Sequence, residues 1–125
     1  MNRKSKPRLG FSRDQRVRRQ ADFDRVYQRN VYAADDVLVI QGCANGTTTS
    51  RLGLSVSRRV GNAVVRNRWK RAIREAFRQQ YKQLPTGLDL VARPRRGARL
   101  SFGAIYGALP QLASRIDRRL KRIES

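Results

Sequence analysis

The stretch from Arg58 to Arg78 constrains this chain more than any other. Val65, Trp69, Ala72, Ile73, Ala76 and Phe77 recur through it at helical spacing and, at 100° per residue, fall on one stripe. A strand cannot present such a stripe, because its side chains alternate with a period of two. The chain must therefore lay a long amphipathic helix on a core. Asn62 is a fitting N-cap, and Pro85 and Gly87 stop the helix near Leu84. The rest of the stretch is crowded with Arg58, Arg59, Arg66, Arg68, Lys70, Arg71, Arg74 and Arg78, against Glu75 as its only acid. Asn67, Lys70, Arg71, Arg74 and Arg78 project opposite the stripe, with Arg66 and Arg68 on its two flanks. Such a helix shows a cationic ridge to an anionic partner, while Trp69 and Phe77 are spent on the core.

Other segments read more briefly. Residues 1–15 mix basic residues with Pro7 and Gly10 and lack apolar periodicity, as in a flexible basic arm; one domain follows over 16–125. Phe23, Val26 and Tyr27 fall at i, i+3 and i+4 of a short helix. Phe23 is either core or a base stacker, and the hydroxyl of Tyr27 favours a wet edge. Val37 to Ile40 reads as a buried strand, and Asn45 to Ser50 as a hairpin loop. From Arg51 to Ser57 the chain alternates. Leu52, Leu54 and Val56 share one face; Gly53, Ser55 and Ser57 share the other. A face of such small residues is either packed tightly under other backbone or kept low as the floor of a cleft. Leu88 to Ala92 is a further strand, Arg93 to Arg99 a basic loop, and Ser101 to Ile123 a helix that Pro110 should kink or restart. The order is α-β-β-(β)-α-β-α, an α+β fold: one two-layer domain with helices packed on a mixed sheet.

Charge and composition bound the function. In 125 residues the formal net charge is +20, a value that speaks to partners rather than to fold. A polyphosphate is the natural partner, since each neutralised phosphate releases counterions, and a membrane surface is the alternative. No segment has the ~20 apolar residues of a membrane-spanning helix, and no apolar stretch follows the basic N-terminus. With Cys43 as the only cysteine, a cytoplasmic home is expected. There is no histidine, the commonest general base, and one cysteine cannot make the usual multi-thiolate zinc site. The nine acids are scattered; Asp22 and Asp24, two apart on a helix, do not converge. A nuclease working by metal-bound carboxylates is not indicated, and no metal site is expected in the protein. Binding to nucleic acid is what remains, and a structural protein that coats it without any catalytic partner is one form that binding can take.

The segment RLGLSVSRRVGNAVVRNRWKRAIREAFR, Arg51 to Arg78, resembles the bacterial ribonuclease P protein component. Upstream, ADFDRVY (Ala21 to Tyr27) is similar to the first helix of that family, and LVARP (Leu90 to Pro94) to its last strand. The resemblance implies an RNA-binding accessory subunit of the ribonuclease P holoenzyme, in which a catalytic RNA removes the 5′ leader of precursor tRNA by Mg2+-dependent hydrolysis. It implies no catalytic residue in the protein, no membrane and no obligate protein partner. Arg66, Asn67, Arg68, Lys70, Arg71 and Arg74 match the face that meets the catalytic RNA. Phe23, Tyr27, Ser55, Ser57 and Arg59 match the leader-binding cleft. The resemblance also implies an uncommon left-handed βαβ crossover. The family often carries a further aromatic on the strand facing the leader; Val37 to Gln41 offers none, and Tyr32 is the nearest ring.

Overall fold

A computed structural model describes residues 13–124. The order is α1 (Gln20–Arg29), β1 (Tyr32–Ala34), β2 (Leu38–Ala44), β3 (Arg51–Leu54), α2 (Ala63–Gln80), β4 (Leu88–Pro94) and α3 (Phe102–Glu124). This is the expected α+β order, with the optional strand supplied by Tyr32–Ala34. Of the expected arm, residues 1–12 lie outside the described residues. Arg13–Gln15 form a single 3-10 turn, and Arg16 then bridges in parallel to Leu52.

The four strands form one sheet in the order β1-β2-β4-β3. β1 and β4 each pair antiparallel with β2, while β3 and β4 are parallel neighbours linked through α2. The loop Asn45–Ser50 therefore joins strands that are not paired, and the hairpin expectation is overturned. Its turn chemistry is sound: the Asn45 side chain accepts from the Thr47 amide and hydroxyl, and Gly46 takes a φ of 76°. What local chemistry could not reveal is that β4, which begins only after the whole of α2, inserts between the two strands.

One sheet face carries the core. Leu38 and Ile40 of β2, Leu52 of β3, and Leu88, Leu90 and Ala92 of β4 pack against Trp69, Ile73, Ala76 and Phe77 of α2 and Ile105, Leu109, Leu112 and Ile116 of α3. The α2 stripe is as read from the sequence, with Val65 and Ala72 at its margin. Asn62 caps α2, accepting from the Val65 amide at 3.0 Å. The helix ends at Gln80, and a 3-10 turn, Tyr81–Gln83, leads to extended Leu84 before Pro85.

Pro110 does not restart α3, which runs through it as one element. Proline has no amide to bond the carbonyl four residues back, that of Tyr106. The buried Gln80 side chain of α2 donates to that carbonyl instead, at 3.0 Å. A substitute donor from the neighbouring helix thus meets the need that made proline look like a break.

Candidate nucleic-acid interface

Among the described residues, α1 and Val17 pack on the opposite sheet face. Val26 packs fully buried with Cys43 and Val91, and Phe23 lies against that small cluster. An ionic network pins the helix beside it. Asp89 of β4 is completely buried. It accepts from Arg51 Nε at 2.7 Å and Nη2 at 2.6 Å, from Arg25 Nη2 at 2.8 Å and from Asn45 Nδ2 at 3.0 Å. Asp22 of α1 accepts from Arg25 Nη1 at 3.0 Å and lies 3.6 Å from Arg51 Nη2. Hydrogen bonds to Asp89 raise the pKa of Arg51 above its ordinary value. Burial pushes the Cys43 thiol up, so it packs as a neutral apolar group.

Two acids that sequence spacing left apart, Asp22 and Asp89, thus converge through the fold. Both are occupied by guanidiniums. Among the described residues, no group of three or more His, Cys, Asp or Glu gathers where it could hold a metal ion.

Phe23 resolves the two readings of the small-residue strand. A Cβ on Gly53 would come within 2.9 Å of Phe23 Cε1 and Cζ, so the ring lies directly over that glycine. At Gly53 the face is small because it is packed. Further along, Ser55 is half-buried, its amide donating to the Ala92 carbonyl, and Ser57 is exposed. Tyr27, one helical turn beyond Phe23, is 39% exposed, and the two ring centroids are 6.4 Å apart. Phe23 is therefore a half-buried anchor and Tyr27 an accessible ring.

Beyond this flank of α1 runs a groove of about 610 Å³. Tyr32, Ala34 and Val39 line it from β1 and β2, Ser57 and Arg59 from the loop before α2, and Arg93, Arg95 and Arg96 from the end of β4. Arg93 Nη1 donates to Gln41 Oε1 at 3.1 Å, and Arg95 Nη1 to the Asp35 carbonyl at 2.9 Å. Of the five expected cleft residues, Ser57 and Arg59 line the groove directly. Ser55 directly follows β3 on the way into it, and Phe23 and Tyr27 lie on the helix at its side.

Three features escaped sequence reasoning. Tyr32 pairs directly across from Gln41 and so projects on the α1 side of the sheet, 51% exposed. This edge strand supplies the ring that β2 lacks, and only the pairing register reveals it. The groove's basic wall is the second. Arg93 to Arg99 was legible as basic, but not as placed opposite Ser57 and Arg59. The third is the Asp22–Asp89 network.

The α2 face presents Asn67, Arg68, Arg71 and Arg74 exposed, with Lys70 half-buried. Arg66 is also half-buried, and its Nε is shut away from solvent without a hydrogen-bond partner among the described residues. Leaving such a donor unsatisfied costs about 1–3 kcal/mol, which an incoming acceptor could recover. Arg78 departs from the expected open ridge. It turns back on Glu75, with Nε donating to Oε1 at 2.9 Å and Nη2 to Oε2. The three-residue spacing makes this pair, which helical projection alone treats as two independent charges.

Comparison with known proteins identifies the family. A family model described as Ribonuclease P matches residues 11–117. The chain is 45% identical over 85 residues to the ribonuclease P protein component of Brevibacillus brevis, covering 66% of this chain and 68% of that one. It is 33% identical over 112 residues to the corresponding component of Thermotoga petrophila, covering 86% and 96%. The RNase P protein from Thermotoga maritima has the same fold, with a TM-score of 0.74 at 32% identity over 80% of this chain and 96% of that one. In sequence and in fold, the chain belongs to the bacterial ribonuclease P protein family.

Proposed function

We propose that this chain works as the RNA-binding subunit of ribonuclease P by holding two RNAs on two adjoining surfaces. Its role is accessory, within an endoribonuclease that matures the 5′ ends of tRNA. The catalytic RNA meets the α2 face through Arg66, Asn67, Arg68, Lys70, Arg71 and Arg74. The precursor tRNA leader lies in the groove beside α1, over Ser55 and Ser57, with Arg59 and Arg93 to Arg96 on its phosphates. Tyr27 and Tyr32 offer rings to its bases, a contact worth about 1–3 kcal/mol per base. The observation that carries this reading is the junction of the two surfaces: the groove wall at Ser57 and Arg59 runs straight into the start of α2.

The same reading leaves hydrolysis and its Mg2+ to the RNA, with the protein supplying charge and position. It places the protein in the cytoplasm. It keeps a basic arm ahead of the domain, ending before the turn at Arg13–Gln15, and keeps the left-handed sense of the β3–α2–β4 crossover.

Purified protein free of RNA should leave precursor tRNA uncut, yet lower the Mg2+ that the catalytic RNA requires. Arg66→Ala with Arg68→Ala should weaken assembly with the catalytic RNA by at least tenfold. It should also make the log–log salt slope shallower by about 1–2, one phosphate contact per arginine. Unchanged affinity and slope in a filter-binding titration would remove α2 from the RNA interface.

A further inference from the structure

α1 crosses the sheet as a ridge, and the groove on its other flank is the larger of the two. It has a volume of about 850 Å³ and receives Arg13, Arg16, Arg18, Arg19, Arg25 and Arg51. Asp14 and Asp22 also line it, and Asp89 lies buried beneath. Counting these groups gives six positive charges against three negative, a surplus of three.

The surplus is not evenly held. Asp22 and Asp89 are engaged by Arg19, Arg25 and Arg51. Arg13 and Arg18 are exposed and have no acidic partner among the described residues. Asn45, Thr47 and Thr49 complete the groove with uncharged polar side chains. Arginine forks beside hydroxyl and amide groups, with few apolar walls, suit a sugar–phosphate backbone rather than a base or an apolar ligand.

The position of the groove selects among RNAs. Both grooves open on the same sheet face. The Val39–Arg93 pair lies at one and the Cys43–Asp89 pair beneath the other. These rows are four residues apart, about 13 Å at 3.3 Å per residue. That is at least four nucleotides at a stacked spacing of ~3.4 Å, since the strand must also climb over α1. The arginine groove sits at the far end of α2, where Ser50 Oγ donates to the Pro85 carbonyl at 2.6 Å. The surface assigned to the catalytic RNA ends at Arg74; from there to Gln80 the helix rises a further ~9 Å, and it packs on the other face of the sheet, so the groove lies beyond that surface.

We infer that this arginine groove is a second binding site for the precursor's 5′ extension, holding the phosphates of leader nucleotides that have passed over α1. The inference rests on the leader-groove reading above and deepens it. It divides leader binding into a near groove that offers rings and a far groove that reads phosphate alone. The far groove is indifferent to sequence and sensitive to length.

The test uses the assembled holoenzyme, with protein carrying Arg13→Ala and Arg18→Ala. Neither side chain joins the Asp22–Asp89 network, so the fold is retained. Affinity is measured for precursors with no leader, with a short leader ending in the near groove, and with a leader several nucleotides longer. The expected result is unchanged affinity for the first two and about tenfold weaker binding of the long leader. The salt slope for the long leader should be shallower by about 1.4, or 0.7 for each lost single-strand contact. Equal weakening of all three precursors would overturn the inference and place the groove on the catalytic RNA or the tRNA body. No weakening of the long leader would overturn it outright. Failure of the near-groove reading shows separately, as wild-type protein that does not distinguish the short leader from none.

Discussion

Gly53 shows how one residue sets the leader surface. Its missing Cβ lets the Phe23 ring sit on the sheet, with Val17 Cβ 3.0 Å from the same point. Two close contacts leave a methyl group nowhere to go, so the ring or the helix must move. Gly53→Ala should cost about 1–3 kcal/mol, the usual penalty for overpacking, read by urea unfolding. Because α1 carries Phe23 and Tyr27 on one flank, the variant should also bind leader-bearing precursor more weakly. Affinity for the catalytic RNA should remain, since α2 packs on the other sheet face. Loss of both affinities together would mean that Gly53 matters only for folding.

At the scale of elements, α2 depends on partners that propensity does not describe. Its first turn is capped by Asn62, its last turn lends Gln80 to α3, and its outer face near that end is braced by Glu75 and Arg78. Hydrogen bonds from Arg78 and then Gln79 hold the Glu75 carboxyl at about 2, below its ordinary 4.5. The folded helix therefore binds this proton more weakly than the unfolded chain does. The contribution is complete above pH 4.5 and is lost as the pH falls toward 2. Thermal melts followed by circular dichroism should show acid destabilisation across that window, and Glu75→Gln should reduce it. A variant as acid-sensitive as the parent would show that other carboxylates carry the effect. With no histidine in the chain, this pair adds no pH dependence between about 5 and 8.

At the scale of the whole molecule, a net charge of +20 opposes folding and favours RNA. Salt should then act in opposite directions on the two. Raising it screens self-repulsion, so the melting temperature of the free protein should climb. The same salt should weaken RNA binding, because fewer counterions are released to advantage. Calorimetry and binding titrations across one salt series would check this, and a melting temperature that falls with salt would contradict it. The arrangement also explains why so basic a chain can fold. Its two most buried acids, Asp22 and Asp89, are spent on neutralising arginines inside the structure, while the surplus charge stays at the surface.

The amino-acid sequence alone determined whatever depends on local spacing. The α2 stripe, the Asn62 cap, the alternation of Arg51 to Ser57 and the family motif at Gly61 to Arg71 are all set within a few turns of chain. Helical and strand periodicity, like capping, are short-range effects and can be read without knowing the neighbours. Tertiary structure alone decided what depends on which distant segments meet. The insertion of β4 between β2 and β3, the register that turns Tyr32 toward the groove, the donor that makes Pro110 harmless and the meeting of Asp22 with Asp89 all join residues with no spacing in common. Such contacts are selected by burial and by pairing across the sheet, and a linear pattern records neither. The cationic helix was therefore legible from the start, whereas the two grooves on either side of α1 exist only in the folded molecule.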